Sequence, residues 1–290
     1  MAETTIVGCG DIGARLAQRL IGAGEAVRGW VRSPAGIERL QRLRIPAALV
    51  DLDRSDAQGS DLEGAQLFYC APPPKQGVED GRVAHLIELF AQVGQPRRVV
   101  YLSTTGVYGD CQGKWVDETR PPAPRVDRAR RRLDAEQRWR AWSEATGGEL
   151  VILRVAGIYG PGKLPQARLQ NAVPMVCQAE SPLTNHIHSL DLVEICVAAM
   201  QRGRNGEVYN VSDGQPGSMT DYFIQVADFL GLPRPPLISL EEAKQQLSPG
   251  MLSYLAESRR LDNRKMLEEL AVQLRYPNLD LGLPAAQEAP

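Results

Sequence analysis

Thr5-Ile6-Val7-Gly8-Cys9-Gly10-Asp11-Ile12-Gly13, followed by the amphipathic stretch Ala14 to Ala23, decides the fold of this chain. An apolar run that meets three glycines and then a helical period reads as a strand, a tight turn and a helix. In a G-x-G-x-x-G turn the first glycine permits the bend, the second lets backbone approach a pyrophosphate, and the third lets helix and strand pack closely. The free N–H groups and the dipole of the helix N-terminus then favour negative charge. Gly8, Gly10 and Gly13, with Asp11 and Ile12 between them, are therefore candidate dinucleotide-binding residues.

Working outward, Ala26 to Arg32 makes a second strand, and Ser33-Pro34 opens a helix with a serine N-cap and a proline in the first turn. A fold that prefers NAD places an acid at this strand end, about 20 residues past the glycines, to accept from the ribose 2′-hydroxyl. Here stand Arg32 and Ser33, a cation and a hydroxyl suited to a 2′-phosphate, so NADP is expected, with NAD as the alternative. Ala47 to Leu52 forms a third strand with Asp51 placed to accept from an adenine amino group and Leu52 beside it. Leu67 to Ala71 forms a fourth, stopped by Pro72-Pro73-Pro74 because proline cannot donate to a central ladder. Cys70, Ala71 and Pro72, at its end, belong with the cofactor-contacting set. A helical period over Arg82 to Val93 and a fifth strand over Arg98 to Ser103 follow. This alternation predicts an α/β fold, a doubly wound parallel sheet that takes ligands at its strand C-terminal ends.

Ser103-Thr104-Thr105-Gly106-Val107-Tyr108-Gly109 closes the fifth strand, Leu153-Arg154 leads into Gly157-Ile158-Tyr159-Gly160-Pro161-Gly162, and Asn185 to Leu192 and Val208 to Val211 come later in the same order. In this succession the chain, from residue 4 to about 275, resembles the extended short-chain dehydrogenase/reductases, the NAD(P)-dependent sugar epimerases and dehydratases. The resemblance implies a Rossmann domain over 1–162 and about 185–212. It also implies a smaller, mostly helical substrate-binding cap over about 163–184 and 213–290. The substrate it implies is a small molecule of the sugar or nucleotide-sugar kind, and the assembly a monomer or a homodimer.

Catalysis in that family rests on Y-x-x-x-K, a tyrosine acid/base and a lysine on one helix face. Aligned on Leu133 and Glu136, the helix over Arg125 to Ala145 puts Arg128 and Arg132 at those two positions, and no tyrosine occurs between Gly109 and Ile158. Guanidinium stays protonated at any working pH, so Arg132 can bind a ribose or phosphate while Arg128 cannot act as the acid. Arg130 and Arg131 read as a solvated face. Thr104 remains at the family's hydroxyl position, and Tyr108 is the nearest phenol in sequence; these are the two candidate catalytic residues. The chain thus reads as an epimerase/dehydratase-like protein with an atypical proton donor, or as a catalytically silent NADP(H) sensor. His186 and His188 share one face of a short strand, as pocket-lining or core residues, and no metal site is assigned.

Composition sets the outer limits. A chain of 290 residues with 43% apolar and 23% charged residues is an ordinary globular protein. A net charge of -2 gives no reason to expect nucleic acid or an anionic membrane as partner. Five widely spaced cysteines with no C-x-x-C pair, and no signal-peptide pattern, predict a cytoplasmic protein. Leu261 to Leu274 reads as the last clear helix, and Leu279 to Pro290 as a loose tail.

Overall fold

Adjacent residues of each inner strand bury themselves on opposite sides of one sheet, and both sides are apolar. Ile6, Phe68, Val100 and Val151 enter one core while Val7, Leu67, Tyr101 and Ile152 enter another. A strand with this pattern needs helices on both faces. The computed structural model describes residues 3–54, 59 and 61–287. Among them the central sheet is built from β1 (Thr4–Val7), β2 (Val27–Val31), β3 (Ala47–Leu49), β4 (Gln66–Tyr69), β5 (Arg98–Thr104), β6 (Glu149–Val155) and β7 (Val208–Val211). All pairs are parallel, in the order β7-β6-β5-β4-β1-β2-β3. The winding reverses between β1 and β4, so the crevice beyond their C-terminal ends is the place where such a sheet takes a ligand. The doubly wound parallel sheet expected from the sequence is the fold observed.

Helices α1 (Asp11–Gly22), α2 (Pro34–Arg42) and α5 (Ser189–Arg202) cover the first core, and α3 (Gly81–Val93) and α4 (Asp127–Thr146) cover the second. Trp139 of α4 packs edge-on against Tyr69 and Trp142, each with ring centroids 5.7 Å away. A smaller core, with Tyr159, Leu169, Met175, Phe223, Val226 and Leu283, joins α6 (Met219–Leu230) and α7 (Leu279–Ala286) to the loops that follow β6. Short strand pairs stitch this part together. Met175–Val176 runs with Leu237–Ile238, and Trp115–Val116 with Arg260–Leu261.

Two sequence expectations at the C-terminus are corrected. The helix expected over Leu261 to Leu274 is only Arg264–Glu269, because Arg260–Leu261 is drawn into a strand beside Trp115–Val116. The stretch from Leu279, read as a loose tail, forms α7 up to Ala286 and buries Leu283, Ala285 and Ala286. Its proline and alanine content masked the packing partner. Gly282 lies so close to Tyr159 that a Cβ would come within 2.0 Å of the phenol oxygen. Residues 288–290 lie outside the described residues.

The position of α4 on the sheet is fixed by a buried ion pair. Arg154, on β6, donates twice to Glu136 at 3.1 and 2.7 Å, and Ser103 of β5 donates to the same carboxylate at 2.5 Å. Both charged side chains are almost wholly buried. Removing one member leaves the other buried and uncompensated, which costs about 3–5 kcal/mol. Arg154→Met is therefore expected to lose that amount of stability in urea unfolding, and Arg154→Met with Glu136→Met to recover much of it. Equal losses in the two variants would show that the pair itself, not the orphaned charge, carries the effect.

Candidate active site

The glycine turn shapes the crevice. Gly8 has φ +77°, and a Cβ there would lie 2.4 Å from the Cα of Ala71, so the end of β1 and the chain after β4 touch through bare backbone. Gly13 is also close-packed, with a virtual Cβ 3.1 Å from Gly8 O and from the Ile6 side chain. Gly10 differs. A Cβ there would meet only Gly8 O, at 3.8 Å, so no neighbouring atom crowds it, although its backbone (φ -76°, ψ -144°) lies outside the β and α regions. No side-chain clash demands glycine there, and the residue lines the groove. As the N-cap of α1 it also offers no side-chain acceptor, so the first-turn N–H groups stay open to a ligand.

From this turn a single groove runs in both directions. On one side a cavity of about 480 Å³ is lined by Arg32, Ser33, Arg39, Asp51, Leu52, Ala71 and Pro72. Ser33 caps α2, its Oγ accepting from Gly36 N at 3.3 Å. Arg39 reaches back from α2 to donate to Gly10 O at 3.3 Å and to Cys9 O. Arg32 is 61% exposed and stands 3.7 Å from Asp53. Asp53 itself is claimed by Arg82 at 2.6 Å, which holds its carboxyl below the usual range. The middle section is lined by Asp11, Ile12, Gly13, Cys70, Arg132 and Lys163. Lys163 pairs with Asp11 at 3.0 Å, and Arg15 links Asp11 to Pro161 O, so the Gly160-Pro161-Gly162 loop is pinned over the start of α1.

On the other side a cleft of about 450 Å³ is lined by Thr104, Arg128, Arg132, Asn185, Tyr254, Glu257 and Arg259, among others. The three sections share residues. Gly8, Gly10 and Pro72 belong to the first two, and Arg132, Val155 and Ile158 to the last two. Arg132 stands at the junction and donates to Ala71 O at 3.1 Å and to the Tyr101 phenol at 3.3 Å.

Every residue singled out from the sequence as cofactor-contacting therefore lines this groove. The two candidate catalytic residues part company. Thr104 lines the cleft, with its Oγ1 accepting from Gly106 N at 3.2 Å and its hydroxyl proton unspent on that bond. Tyr108 does not. It is fully buried, donates to Asn210 Oδ1 at 2.8 Å and sits under the Arg154 guanidinium, while burial pushes its phenol up to about 12. Arg131 is a second correction: it is buried and donates to Gly77 O, whereas Arg130 remains exposed beside Asp127. His186 stacks on Tyr222 with ring centroids 4.2 Å apart, and His188 accepts from Leu190 N. Burial pushes both imidazoles down to about 4, so both are neutral at physiological pH. No cluster of three or more His, Cys, Asp or Glu side chains placed to hold a metal occurs among the described residues.

Sequence reasoning missed Arg39, Lys163, Tyr254, Glu257 and Arg259. Lys163 follows the Gly160-Pro161-Gly162 turn directly, a signal that was present. The last three come from a segment with no motif, brought to the cleft by the pairing of Arg260–Leu261 with Trp115–Val116.

Residues 82–212 match the model of the NAD dependent epimerase/dehydratase family. That stretch carries the family's domain. It is 26% identical over 286 residues to "Protein YeeZ" of Escherichia coli K12, covering 96% of this chain and 97% of the relative. A functionally unknown conserved protein from Silicibacter pomeroyi superposes with a TM-score of 0.87 at 33% identity, over 99% of this chain and 98% of that one. MoeE5, in a complex with UDP-glucose and NAD, has the same fold, with a TM-score of 0.75 at 22% identity over 98% and 97% of the two chains.

The two outer glycines are packed too closely for a side chain and Gly10 is not, so the variants should separate. Gly8→Ala is expected to unfold at markedly lower temperature. Gly10→Val should lose less Tm than Gly8→Ala while losing NAD(P)H binding by fluorescence titration. A Gly10→Val protein that binds the dinucleotide as before would show that no ligand approaches this backbone.

Proposed function

We propose that this chain binds NADP along the groove and acts on a sugar or nucleotide-sugar substrate, using a proton donor other than a tyrosine of α4. The observation that carries the reading is the continuity of the groove: cations and a hydroxyl at one end, an uncapped helix N-terminus in the middle, a polar cleft at the other. The first-turn N–H groups of α1 would receive the pyrophosphate, with the Lys163 ammonium, paired with Asp11, beside it. Arg32, Ser33 and Arg39 offer donors to a 2′-phosphate, and Asp51 an acceptor to the adenine amino group. Arg132, at the junction, suits the nicotinamide ribose. Residues 1–162 and about 185–212 would then hold the cofactor, and the remainder would shape the substrate side.

Bound there, the dinucleotide exchanges hydride at its nicotinamide ring. The protein's task is to orient the substrate and to move a proton. Thr104 is set to donate to a substrate oxygen. Arg128 and Arg132 cannot give up a proton, but Tyr254, 51% exposed, brings a phenol to the cleft with its ring under the Arg128 guanidinium at 3.8 Å. We assign the proton step to Tyr254. Full-length likeness to MoeE5, whose complex holds UDP-glucose and NAD, supports both the cofactor class and the substrate class.

A second reading, a silent sensor of NADP(H), is favoured by one observation: two guanidiniums stand on α4 where an acid would be useful. Binding and turnover separate the two. A charge-assisted hydrogen bond contributes roughly 1.5–3 kcal/mol. Arg32→Ala should accordingly weaken NADPH binding about 10- to 100-fold and change NADH binding little; equal effects on both would remove the case for NADP. Turnover of a panel of UDP- and dTDP-sugars, lost in Tyr254→Phe with NADPH affinity kept, is the expected result for the enzyme. NADPH binding with no turnover of any panel member would favour the sensor.

A further inference from the structure

The cleft beyond Arg132 carries an unbalanced charge. Its lining includes Arg128, Arg132 and Arg259 against a single acid, Glu257. That acid is already taken, since Glu257 pairs with Arg259 at 3.1 Å, and Arg259 also donates to Gly109 O at 2.7 Å. Arg128 and Arg132 are both half-buried, and neither has a carboxylate within ion-pair distance among the described residues. Their hydrogen-bond and stacking partners are neutral: the Ser253 hydroxyl and Tyr254 ring for Arg128, the Ala71 carbonyl and Tyr101 phenol for Arg132, with the buried Asp80 carboxylate acting on Arg132 from beyond ion-pair distance and leaving Arg128 the less compensated of the two.

Two like charges four residues apart on one helix face repel each other, and partly desolvated cations are costly unless an anion compensates them. The side chains are nonetheless fixed, Arg128 by its stacking and hydrogen bond, Arg132 by its two acceptors. Guanidiniums held in this way recognise the planar or tetrahedral oxygen arrays of carboxylate and phosphate. They lie beside Thr104, at the end of the groove away from Arg32 and Ser33.

We propose that Arg128, with Arg132 shared between it and the nicotinamide ribose, forms an oxyanion site for the reacting part of the substrate, so that the unit presented to Thr104 carries a carboxylate or phosphate group rather than hydroxyls alone. This rests on the reading that the cleft receives the substrate, and it goes beyond that reading by naming the chemistry of the reacting unit. Arg259 is excluded from the site by its own carboxylate.

The test is calorimetric titration of the NADPH-saturated protein at low salt with D-glucuronate, glucose 6-phosphate and glucose. At least one anionic sugar is expected to bind ten-fold or more tightly than glucose, and the stronger of the two identifies carboxylate or phosphate. Arg128→Gln should abolish most of that preference with the Tm unchanged. It is the primary variant because Arg132 also braces Ala71. Glucose binding as well as the anions, an undiminished preference in Arg128→Gln, or no binding of any of the three at millimolar concentration would each overturn the site. Failure of NADPH to bind would count against the cofactor reading alone. The same titrations without cofactor, compared between wild type and Arg128→Gln, still decide the arginines.

Discussion

Glu136 is a carboxylate buried in the junction of α4, β5 and β6, and the arrangement of the groove depends on how it is neutralised. Arg154 binds it through two hydrogen bonds and Ser103 through a third. This fixes α4 against the C-terminal ends of two central strands. Two turns back along the helix Arg128 reaches the cleft, and one turn back Arg132 does. Buried ion pairs are weak sources of net stability but strong determinants of register, because every misaligned packing leaves a charge without a partner. Here the consequence is that two guanidiniums of α4, with Ala129 between them, stand at the end of the groove.

The second constraint is steric. Contact between Gly8 and Ala71 brings the turn after β1 against the chain leaving β4, at the point where the winding of the sheet reverses. With the two strands so close, the N-terminus of α1 opens into the crevice instead of being covered. Lys163 and Arg15 then fasten the loop after β6 across it. The two halves of the groove are thereby two ends of one surface, with Arg132 between them.

Much of this was legible in the sequence. The apolar run ending at Ile6 and Val7, the glycine spacing, the serine cap at Ser33 and the proline stop at Pro72 are local signals, each with a local physical cause. They gave the sheet, the helices and the groove-lining set from Gly8 to Arg132. What escaped depends on distant partners. Arg131 looks like part of a charged helix face, yet it finds the carbonyl of Gly77 and is buried. Tyr108 looks like an available phenol in a polar turn, yet its hydroxyl is spent on Asn210, 102 residues away. Tyr254 and Glu257 sit in a stretch without motif or strong period, and long-range bonds bring them to the cleft, among them the pairing of Arg260–Leu261 with Trp115–Val116 and the bonds of Ser258 to Asp110 and Leu183. The C-terminal helix was hidden for the same reason, since its anchor is the ring of Tyr159.

The central claim is that one groove holds a nicotinamide dinucleotide with its reactive end at Thr104, Arg132 and Tyr254 and no proton donor from α4. A crystal structure of the complex with NADPH tests it most directly. The account predicts the 2′-phosphate at Arg32 and Ser33, the pyrophosphate over Gly10, and nicotinamide C4 facing the cleft within reach of Thr104, with the Tyr254 phenol as the nearest acid. A dinucleotide bound in the opposite direction, or a nicotinamide ring lying away from Thr104 and Tyr254, would contradict it.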